Sequence, residues 1–139
     1  MKNKLERVSK LQVTDTYTRW GRSTCPPGAT TVYDGFTAGS HYSHSGGSAN
    51  QICLSKKLKY HYHSKKTKVA EYETHNSIWD KLKEHDIPCT ACLIPRTSII
   101  MIPRRYDCPD NFKLEYGGYL MAGHHTHQAG TEYLCFDVI

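Results

Sequence analysis

An internal repeat limits the folds that this chain can adopt. Residues 22–53 align with residues 105–135 at a shift of 83 positions, with one single-residue gap before the last cysteine. The matched pairs are Arg22/Arg105, Cys25/Cys108, Pro26/Pro109, Tyr33/Tyr116, Gly35/Gly118, Phe36/Tyr119, His41/His124, His44/His127, Gly47/Gly130 and Cys53/Cys135. Two copies are too few, and the unit is too long, for a solenoid. We therefore predict a tandem duplication with pseudo-twofold symmetry.

The length of 139 residues fits one domain in which both copies share a core. Ten tyrosines against three phenylalanines favour a strand-rich protein with aromatic surfaces. We predict a mainly β fold of two tandem pseudo-twofold-related β subdomains with one short helix, stapled by disulfides. We predict an N-terminal helical or coiled-coil stub or tail at 1–16 and a duplicated domain at 17–139. Within this domain, the first copy spans about 17–75 and the second about 96–139. A short helix and the Cys-x-x-Cys form the linker between the copies.

Local patterns assign the main elements. Alternation predicts a strand from Thr30, and the apolar run at 97–102 predicts a central strand. The stretch 58–73 predicts a hairpin, and 76–82 has a cap followed by helical spacing. Residues 4–12 have helical spacing of apolar residues among charges, which fits either a coiled-coil end or a frayed terminus.

The six cysteines separate two classes of protein. Four occupy matched places in the repeat, and Cys89 and Cys92 form a Cys-x-x-Cys between the copies. An even number of cysteines in a short chain with Gly- and Pro-rich loops indicates disulfides formed in an oxidising compartment. The alternative is a reduced protein with structural zinc, but one Cys-x-x-Cys is only half of such a site. We therefore predict a disulfide framework.

The net charge of +5 is concentrated in residues 55–68, which contain six lysines and two histidines. Lys65 and Lys66 lie at the tip of the predicted hairpin, where they are placed to contact a sulfated glycan, an anionic lipid surface or nucleic acid. The alternative is that these charges only keep the hairpin soluble and protect its edge.

Two His-x-x-His pairs, His41/His44 and His124/His127, lie in Gly-rich loops of the two copies. One interpretation is structural, with the imidazoles donating hydrogen bonds to carbonyls of their own loops and organising the turn. A second is contact with a polar ligand such as a glycan or sulfate. A third is coordination of zinc or copper, with further ligands from the other copy, Glu132 or water.

Catalysis has little support in the sequence. It contains no Gly-x-Ser-x-Gly elbow, P-loop, dinucleotide fingerprint or His-Glu-x-x-His motif. Oxidised cysteines are poor nucleophiles, and the Cys89-x-x-Cys92 pair lacks the βαβ context of a redox motif.

No run of about 20 apolar residues is present, so a membrane span is not expected. The first ten residues lack the apolar region of a signal peptide.

The order of these motifs resembles the C-terminal non-collagenous domain of the spongin short-chain collagens, an invertebrate extracellular family that is similar to the non-collagenous domain of type IV collagen. The resemblance covers about residues 17–137. It rests on Tyr17 to Cys25 (YTRWGRSTC), Val32 to His44 (VYDGFTAGSHYSH), Glu84 to Cys92 (EHDIPCTAC), Ser98 to Pro103 (SIIMIP) and Leu114 to His124 (LEYGGYLMAGH).

The resemblance implies a secreted, disulfide-bonded, β-rich domain that tends to form trimers. It implies the pairs Cys25–Cys92 and Cys53–Cys89, and it leaves Cys108 and Cys135 with only each other because a second Cys-x-x-Cys is absent. The chain also lacks a Gly-X-Y repeat, so a collagen function is not implied.

We therefore expect an extracellular, non-enzymatic recognition and assembly module. It would bind cell-surface or matrix glycans, including sulfated polyanions, in a lectin-like way. Binding would occur through a homo-oligomer, with a trimer favoured. The alternatives are a His-based metal-binding matrix or mineral-associated protein and a purely structural trimerisation domain. We expect no required cofactor. Under the metal-binding alternative, the four histidines bind zinc or copper. Nucleic acid is not an expected partner. The candidate ligand-binding residues are His41, His44, His124, His127, Arg22, Arg105, Lys65 and Lys66.

Overall fold

The computed structural model describes residues 13–57, 59 and 86–137 of the protein. They form six strands: β1 (Asp15–Trp20), β2 (Thr30–Ala38), β3 (Ile52–Ser55), β4 (Pro88–Ile94), β5 (Tyr119–Met121) and β6 (Leu134–Phe136). No helix occurs within this part of the chain. The mainly β fold class is therefore confirmed for the described residues, and the strand predicted from Thr30 is β2.

The strands form one open sheet in the order β3-β2-β4-β1-β6-β5. β4 is antiparallel to both of its neighbours, with Cys89 opposite Gly35 of β2 on one side and Trp20 of β1 on the other. β1 and β6 run parallel and meet at Trp20 and Phe136, and β6 is antiparallel to β5. The long strands β1, β2 and β4 thus occupy the middle, and the short strands β3 and β5 form the edges.

Two disulfides connect separate parts of the chain to the central strand β4. Cys25 is bonded to Cys92 and Cys53 to Cys89, the two pairs that the family resemblance implied. Both β4 cysteines are completely buried. The Cys-x-x-Cys of the sequence therefore lies in the central strand β4 and is the covalent centre of the fold.

The hydrophobic core joins β4 to the β1–β6–β5 side of the sheet. The rings of Trp20 and Phe136 lie 6.4 Å apart between their centroids. The members of the core cluster are Trp20, Ile87, Cys89, Met121, Leu134 and Phe136, with Cys53 packed against them. Because these residues come from both sequence copies and from the segment between them, the copies share one core.

A buried carboxylate fixes the end of β6 to β1. Asp137 is only 4 % exposed. Its Oδ2 accepts hydrogen bonds from Arg19 Nε at 3.0 Å and Nη2 at 2.6 Å, and its Oδ1 lies 3.4 Å from Arg22 Nε. Its amide also donates to the Trp20 carbonyl at 2.8 Å. Burial of this charge is offset by two guanidinium partners.

A second polar cluster holds the segment before β5 against β1. Tyr17 donates from its hydroxyl to Glu115 Oε2 at 3.2 Å, and Arg96 Nε donates to Glu115 Oε1 at 3.1 Å. The rings of Tyr17 and Tyr116 stack with their centroids 6.0 Å apart. Burial, followed by the negative charge of Glu115, raises the pKa of Tyr17 well above its usual value.

Some details recur at the repeat spacing, but the order of the strands does not. Tyr33 donates to the Cys53 carbonyl at 2.8 Å, and Tyr116 donates to the Cys135 carbonyl at 2.9 Å. By sequence, β5 corresponds to the end of β2, and β6 corresponds to β3. However, β2 lies next to the central pair of strands, whereas β5 lies at the edge.

The prediction of a central strand at 97–102 is wrong. These residues are not in the sheet, and Ile99, Ile100 and Met101 are 37 %, 55 % and 46 % exposed. The backbone at Ser98 has a φ of 64°, a left-handed conformation that interrupts an extended strand. An apolar run therefore did not identify the centre of this sheet, which is the cysteine-bearing β4.

The expected third disulfide, Cys108–Cys135, is also wrong, because both residues are free thiols. In the first copy, Cys25 and Cys53 do not bond to each other, since each reaches a cysteine of β4. The strand β1, which neighbours β6, contains no cysteine that could form a disulfide with Cys108 or Cys135. Burial, followed by the charge of Asp137, raises the pKa of the Cys135 thiol.

Several predicted elements lie outside the described residues. They are the helix at 76–82, the hairpin at 58–73 apart from Lys59, and residues 1–12 of the expected N-terminal stub. The sheet itself begins at Asp15. Within the described ranges, no helix has the length and apolar character needed to cross a membrane.

Candidate functional site

The first histidine loop contains a tight turn that brings two imidazoles together. The His44 amide donates to the His41 carbonyl at 3.0 Å, which closes the turn. The His41 ring is held by Ser43, whose hydroxyl lies 2.8 Å and whose amide lies 3.3 Å from His41 Nδ1. As a result, the rings of His41 and His44 have centroids 5.0 Å apart.

The second histidine loop has the same turn 83 residues later. The His127 amide donates to the His124 carbonyl at 3.0 Å. The hydroxyl and amide of Thr126 lie 2.8 Å and 3.3 Å from His124 Nδ1. The rings of His124 and His127 have centroids 5.4 Å apart. The hydroxyl residue between the two histidines, Ser in one copy and Thr in the other, therefore has the same role twice.

Backbone hydrogen bonds join the two loops to each other. The Ala129 amide donates to the Tyr42 carbonyl at 3.0 Å, and the Glu132 amide donates to the Ala49 carbonyl at 3.1 Å. Glu132 Oε1 in turn accepts a hydrogen bond from the Gln51 amide at 3.0 Å. The two histidine turns, distant in sequence, thus form one surface, which we call the histidine surface (residues 41–44 and 124–127).

Six aromatic rings follow one another across the histidine surface. Tyr42 connects the two halves, because its ring lies 4.4 Å from that of His41 and 4.8 Å from that of His127. The series is His44, His41, Tyr42, His127, His124 and His125, with successive centroid distances of 5.0, 4.4, 4.8, 5.4 and 4.4 Å. Tyr42 and His44 are exposed, so that a ligand in solution can reach this series of rings.

The base of the first loop is closely packed. A Cβ on Gly39 would lie 2.2 Å from Gln51 Oε1, so a larger residue at this position would require the Gln51 carboxamide to move. Gln51 is 6 % exposed, and its Oε1 has no hydrogen-bond partner within the structure as described. The loop therefore leaves β2 over a buried carboxamide, and its orientation is fixed by packing as well as by the hydrogen bonds to the second loop.

The structural interpretation of the histidines holds for His41 and His124 in a modified form. The sequence predicted imidazoles bonded to loop carbonyls, whereas their Nδ1 atoms contact a hydroxyl and an amide within the same turn. No group of three or more His, Cys, Asp or Glu side chains is placed to hold a metal ion in the described ranges. Glu132, considered as a zinc ligand, caps the Gln51 amide with its Oε1.

The two arginines predicted to bind ligand are both held by carboxylates of the chain. Arg22 lies 3.4 Å from Asp137, and Arg105 pairs with Asp107 through Nε at 3.1 Å and Nη2 at 3.0 Å. Hydrogen bonding to Arg105 lowers the pKa of the Asp107 carboxyl. Lys65 and Lys66 lie outside the described residues.

Tyr42 was not singled out from the sequence, although its ring connects the two loops. The available signal was its position between two histidines in His-Tyr-Ser-His. Asp137 was missed as well, because an aspartate two residues before the last residue of the given sequence gives no indication of burial.

The chain was compared with known protein families and with solved structures. No protein-family description matches it, and no solved structure matches it. The resemblance to the spongin-type non-collagenous domain is therefore supported by the residues quoted above alone.

Proposed function

We propose that this protein is a secreted, non-enzymatic recognition and assembly module that binds glycans on the histidine surface. The observation that carries the proposal is the continuous series of six rings across two hydrogen-bonded loops. A functional interpretation accounts for why both copies present the same polar turn at the surface.

The chemistry of the histidine surface suits a sugar. Aromatic faces stack on the apolar C–H faces of pyranose rings, while imidazole nitrogens and hydroxyls exchange hydrogen bonds with sugar hydroxyls. Tyr42 supplies an exposed phenol ring, and the paired turns place imidazoles on both sides of it. Rigid loops favour binding because little conformational entropy is lost when the ligand docks.

A non-enzymatic role is favoured by how the hydroxyls of the site are used. Ser43 contacts His41 at 2.8 Å, which resembles a nucleophile and its base, but both belong to one turn. The Ser43 amide also approaches the same nitrogen, so this imidazole organises its own loop.

Assembly is the second part of the proposal, and it is favoured by the exposed segment 97–102. Three consecutive large apolar side chains, Ile99, Ile100 and Met101, lie on the surface in a segment outside the sheet. Consecutive apolar residues are typical of backbone that is covered on both faces. We propose that a second copy of the chain covers them, forming a homo-oligomer, with a trimer as the favoured state.

Secretion and the two-subdomain origin complete the proposal. Two disulfides with fully buried cysteines at the centre of the sheet fit an oxidising compartment. The hydrogen bonds that recur at the repeat spacing support descent from a duplicated β unit. An oligomer presenting several histidine surfaces would gain avidity for repeated glycan chains.

The test is a glycan-array screen of the disulfide-intact protein, run with and without chelator and at two salt concentrations. We expect selective binding that survives high salt and is lost in Tyr42→Ala. The matched control is Tyr106→Ala, because Tyr106 is 96 % exposed and lies outside both loops. Equal binding by the two variants would contradict the assignment to the histidine surface. Binding only to sulfated glycans, and only at low salt, would indicate a basic polyanion contact instead.

A further inference from the structure

We propose that the open edge of β5 is a docking site for an extended segment of a partner polypeptide that carries a Cys-x-x-Cys, and that this segment forms disulfides with Cys108 and Cys135. The first copy of the repeat holds such a segment, β4, along the equivalent edge of β2 and bonds it through the two equivalent cysteines. Glycan binding is not required for this interaction.

The strand pair β5–β6 repeats the strand pair β2–β3 in the same register. A Cβ on Gly35 would lie 1.7 Å from the Leu54 carbonyl oxygen, and a Cβ on Gly118 would lie 2.1 Å from the Phe136 carbonyl oxygen. Strand β5 therefore stands to β6 as β2 stands to β3. The facing residues are Phe36/Leu54, Thr37/Cys53 and Ala38/Ile52 in the first copy and Tyr119/Phe136, Leu120/Cys135 and Met121/Leu134 in the second.

The two free cysteines occupy the places of two bonded cysteines. Cys135 lies opposite Leu120 just as Cys53 lies opposite Thr37. The turn that follows the other cysteine also recurs, because the backbone amide three residues beyond each proline donates to the proline carbonyl. The distances are 3.2 Å from Ala29 to Pro26 and 3.1 Å from Phe112 to Pro109. All four cysteines are partly buried, so the two copies differ in the partner rather than in the position of the thiols.

Strand β4 shows what the equivalent edge of the first copy accepts. It runs antiparallel to β2 with Cys89 opposite Gly35. The Thr37 amide donates to the Ile87 carbonyl at 2.8 Å, so the backbone of β2 is hydrogen-bonded beyond the last residue pair of the ladder. This edge is therefore closed by main-chain hydrogen bonds and by two disulfides.

The edge of β5 has no such strand among the described residues. Leu120 is 48 % exposed, whereas its counterpart Thr37 is 9 % exposed. A Cβ on Gly117 would meet nothing within 4 Å. The 139-residue sequence contains six cysteines, of which four are bonded to each other, so it holds no further thiol for Cys108 and Cys135. An open strand edge beside two thiols is suited to strand addition followed by covalent capture.

The first copy defines how the segment would lie. Its first cysteine lies opposite Gly118 and bonds to Cys135, and its second cysteine bonds to Cys108. The Leu120 amide, equivalent to that of Thr37, donates to the carbonyl two positions before the first cysteine. Each disulfide forms by thiol–disulfide exchange with a low-molecular-weight disulfide such as oxidised glutathione. Two thiols and one oxidised glutathione give one protein–segment disulfide and two reduced glutathiones.

The test uses a synthetic peptide with the sequence of residues 86–95, which contains the Cys-x-x-Cys of β4. The disulfide-intact protein is incubated with this peptide and oxidised glutathione, and intact mass is measured. We expect an adduct of one peptide per chain, with a mass lower by four hydrogens than the sum of the two. The control is a peptide of the same composition with its two cysteines adjacent, which should give about tenfold less doubly linked adduct because only the correct spacing makes the second disulfide intramolecular.

Peptides with one cysteine replaced by serine determine the pairing. The peptide that keeps only its first cysteine should bond to Cys135, and the peptide that keeps only its second cysteine should bond to Cys108. Digestion without reduction followed by mass spectrometry identifies the linked cysteines. Hydrogen exchange at the Leu120 amide, followed by NMR, should slow by about tenfold or more in the doubly linked adduct, because strand addition bonds this amide and thiol reactivity alone does not.

The proposal is overturned if the two dithiol peptides give equal amounts of doubly linked adduct, or if the Leu120 amide exchanges at the same rate with and without the peptide. Either result would show ordinary thiol reactivity without docking. Covalent dimers of the chain through Cys108 or Cys135, formed in preference to the peptide adduct, would also overturn it, because another molecule of this chain would then be the partner.

Discussion

At the scale of single residues, Asp137 has the most demanding environment in the described structure. Its carboxylate is buried, and it is paired with Arg19 and Arg22 at the junction of β1 and β6. Removing one member of a buried ion pair costs more than the pair contributes, because the remaining charge stays desolvated. The residue therefore fixes how the end of β6 meets β1.

We predict that Asp137→Asn lowers the free energy of unfolding by about 2–4 kcal/mol, because the guanidinium of Arg19, whose side chain is only 16 % accessible, loses its countercharge. Chemical denaturation followed by tryptophan fluorescence measures the loss. The control is Asp107→Asn, which removes the exposed pair with Arg105, with side chains 45 % and 56 % accessible, and should cost less than about 1 kcal/mol. Similar losses in both variants would show that the Asp137 pair is no stronger than a surface pair.

The two free thiols give a second prediction at this scale. Alkylation of the denatured, unreduced protein should add two groups, at Cys108 and Cys135, and six after reduction. In the native protein Cys108 should react first, since burial raises the pKa of Cys135 and lowers its thiolate fraction. Intact-mass spectrometry reads both results. Unreduced protein that takes up no alkyl group would restore the third disulfide.

At the scale of strands, sequence patterns predicted β2 but misplaced the centre of the sheet. The alternation after Thr30 is a local property, and a strand follows from it. The apolar composition of residues 97–102 would be the same whether the segment were covered by its own chain or by another copy. Composition alone therefore does not tell whether the segment lies inside the sheet or on the surface. The centrality of β4 depends on disulfides to Cys25 and Cys53, which are contacts over long separations.

The same limit applies to the histidine surface. The two His-x-x-His pairs are visible in the sequence, and so is their recurrence. Their meeting is not visible, because it depends on the Ala129 amide bonding to Tyr42 across the fold. Sequence reasoning therefore identified the imidazoles correctly as a repeated feature but missed the tyrosine that connects them.

Adjacent glycines provide a prediction for the contact between the edge strand β5 and its neighbour β6. A Cβ on Gly118 would lie 2.1 Å from the Phe136 carbonyl oxygen, whereas a Cβ on Gly117 would meet nothing within 4 Å. Gly118→Ala should therefore separate the start of β5 from β6 and lower the melting temperature by several degrees, since about 1–3 kcal/mol is a typical cost of overpacking. Gly117→Ala should change it little. Thermal unfolding followed by circular dichroism measures both melting temperatures. Equal values for the two variants would contradict the close approach of Gly118 to the Phe136 carbonyl.

At the scale of the whole molecule, the described residues form a small core and a sheet whose central strand carries both disulfides. Extensive apolar surface remains exposed, including Ile100 and Leu120. Such a chain depends on covalent links, on assembly or on both for its stability. The disulfides account for the first of these, and the proposed oligomer accounts for the second.

The two disulfides should contribute unequally to the stability of the fold. They join residues separated by 67 and 36 positions, so each removes chain entropy worth about 4 kcal/mol from the unfolded state. Replacing Cys53 and Cys89 together by serine should be the more damaging change, because both belong to or pack against the core cluster, whereas Cys25 lies outside it. Denaturation of both double variants measures this order. Greater loss on replacing Cys25 and Cys92 would instead make chain entropy, which grows with loop length, the dominant contribution.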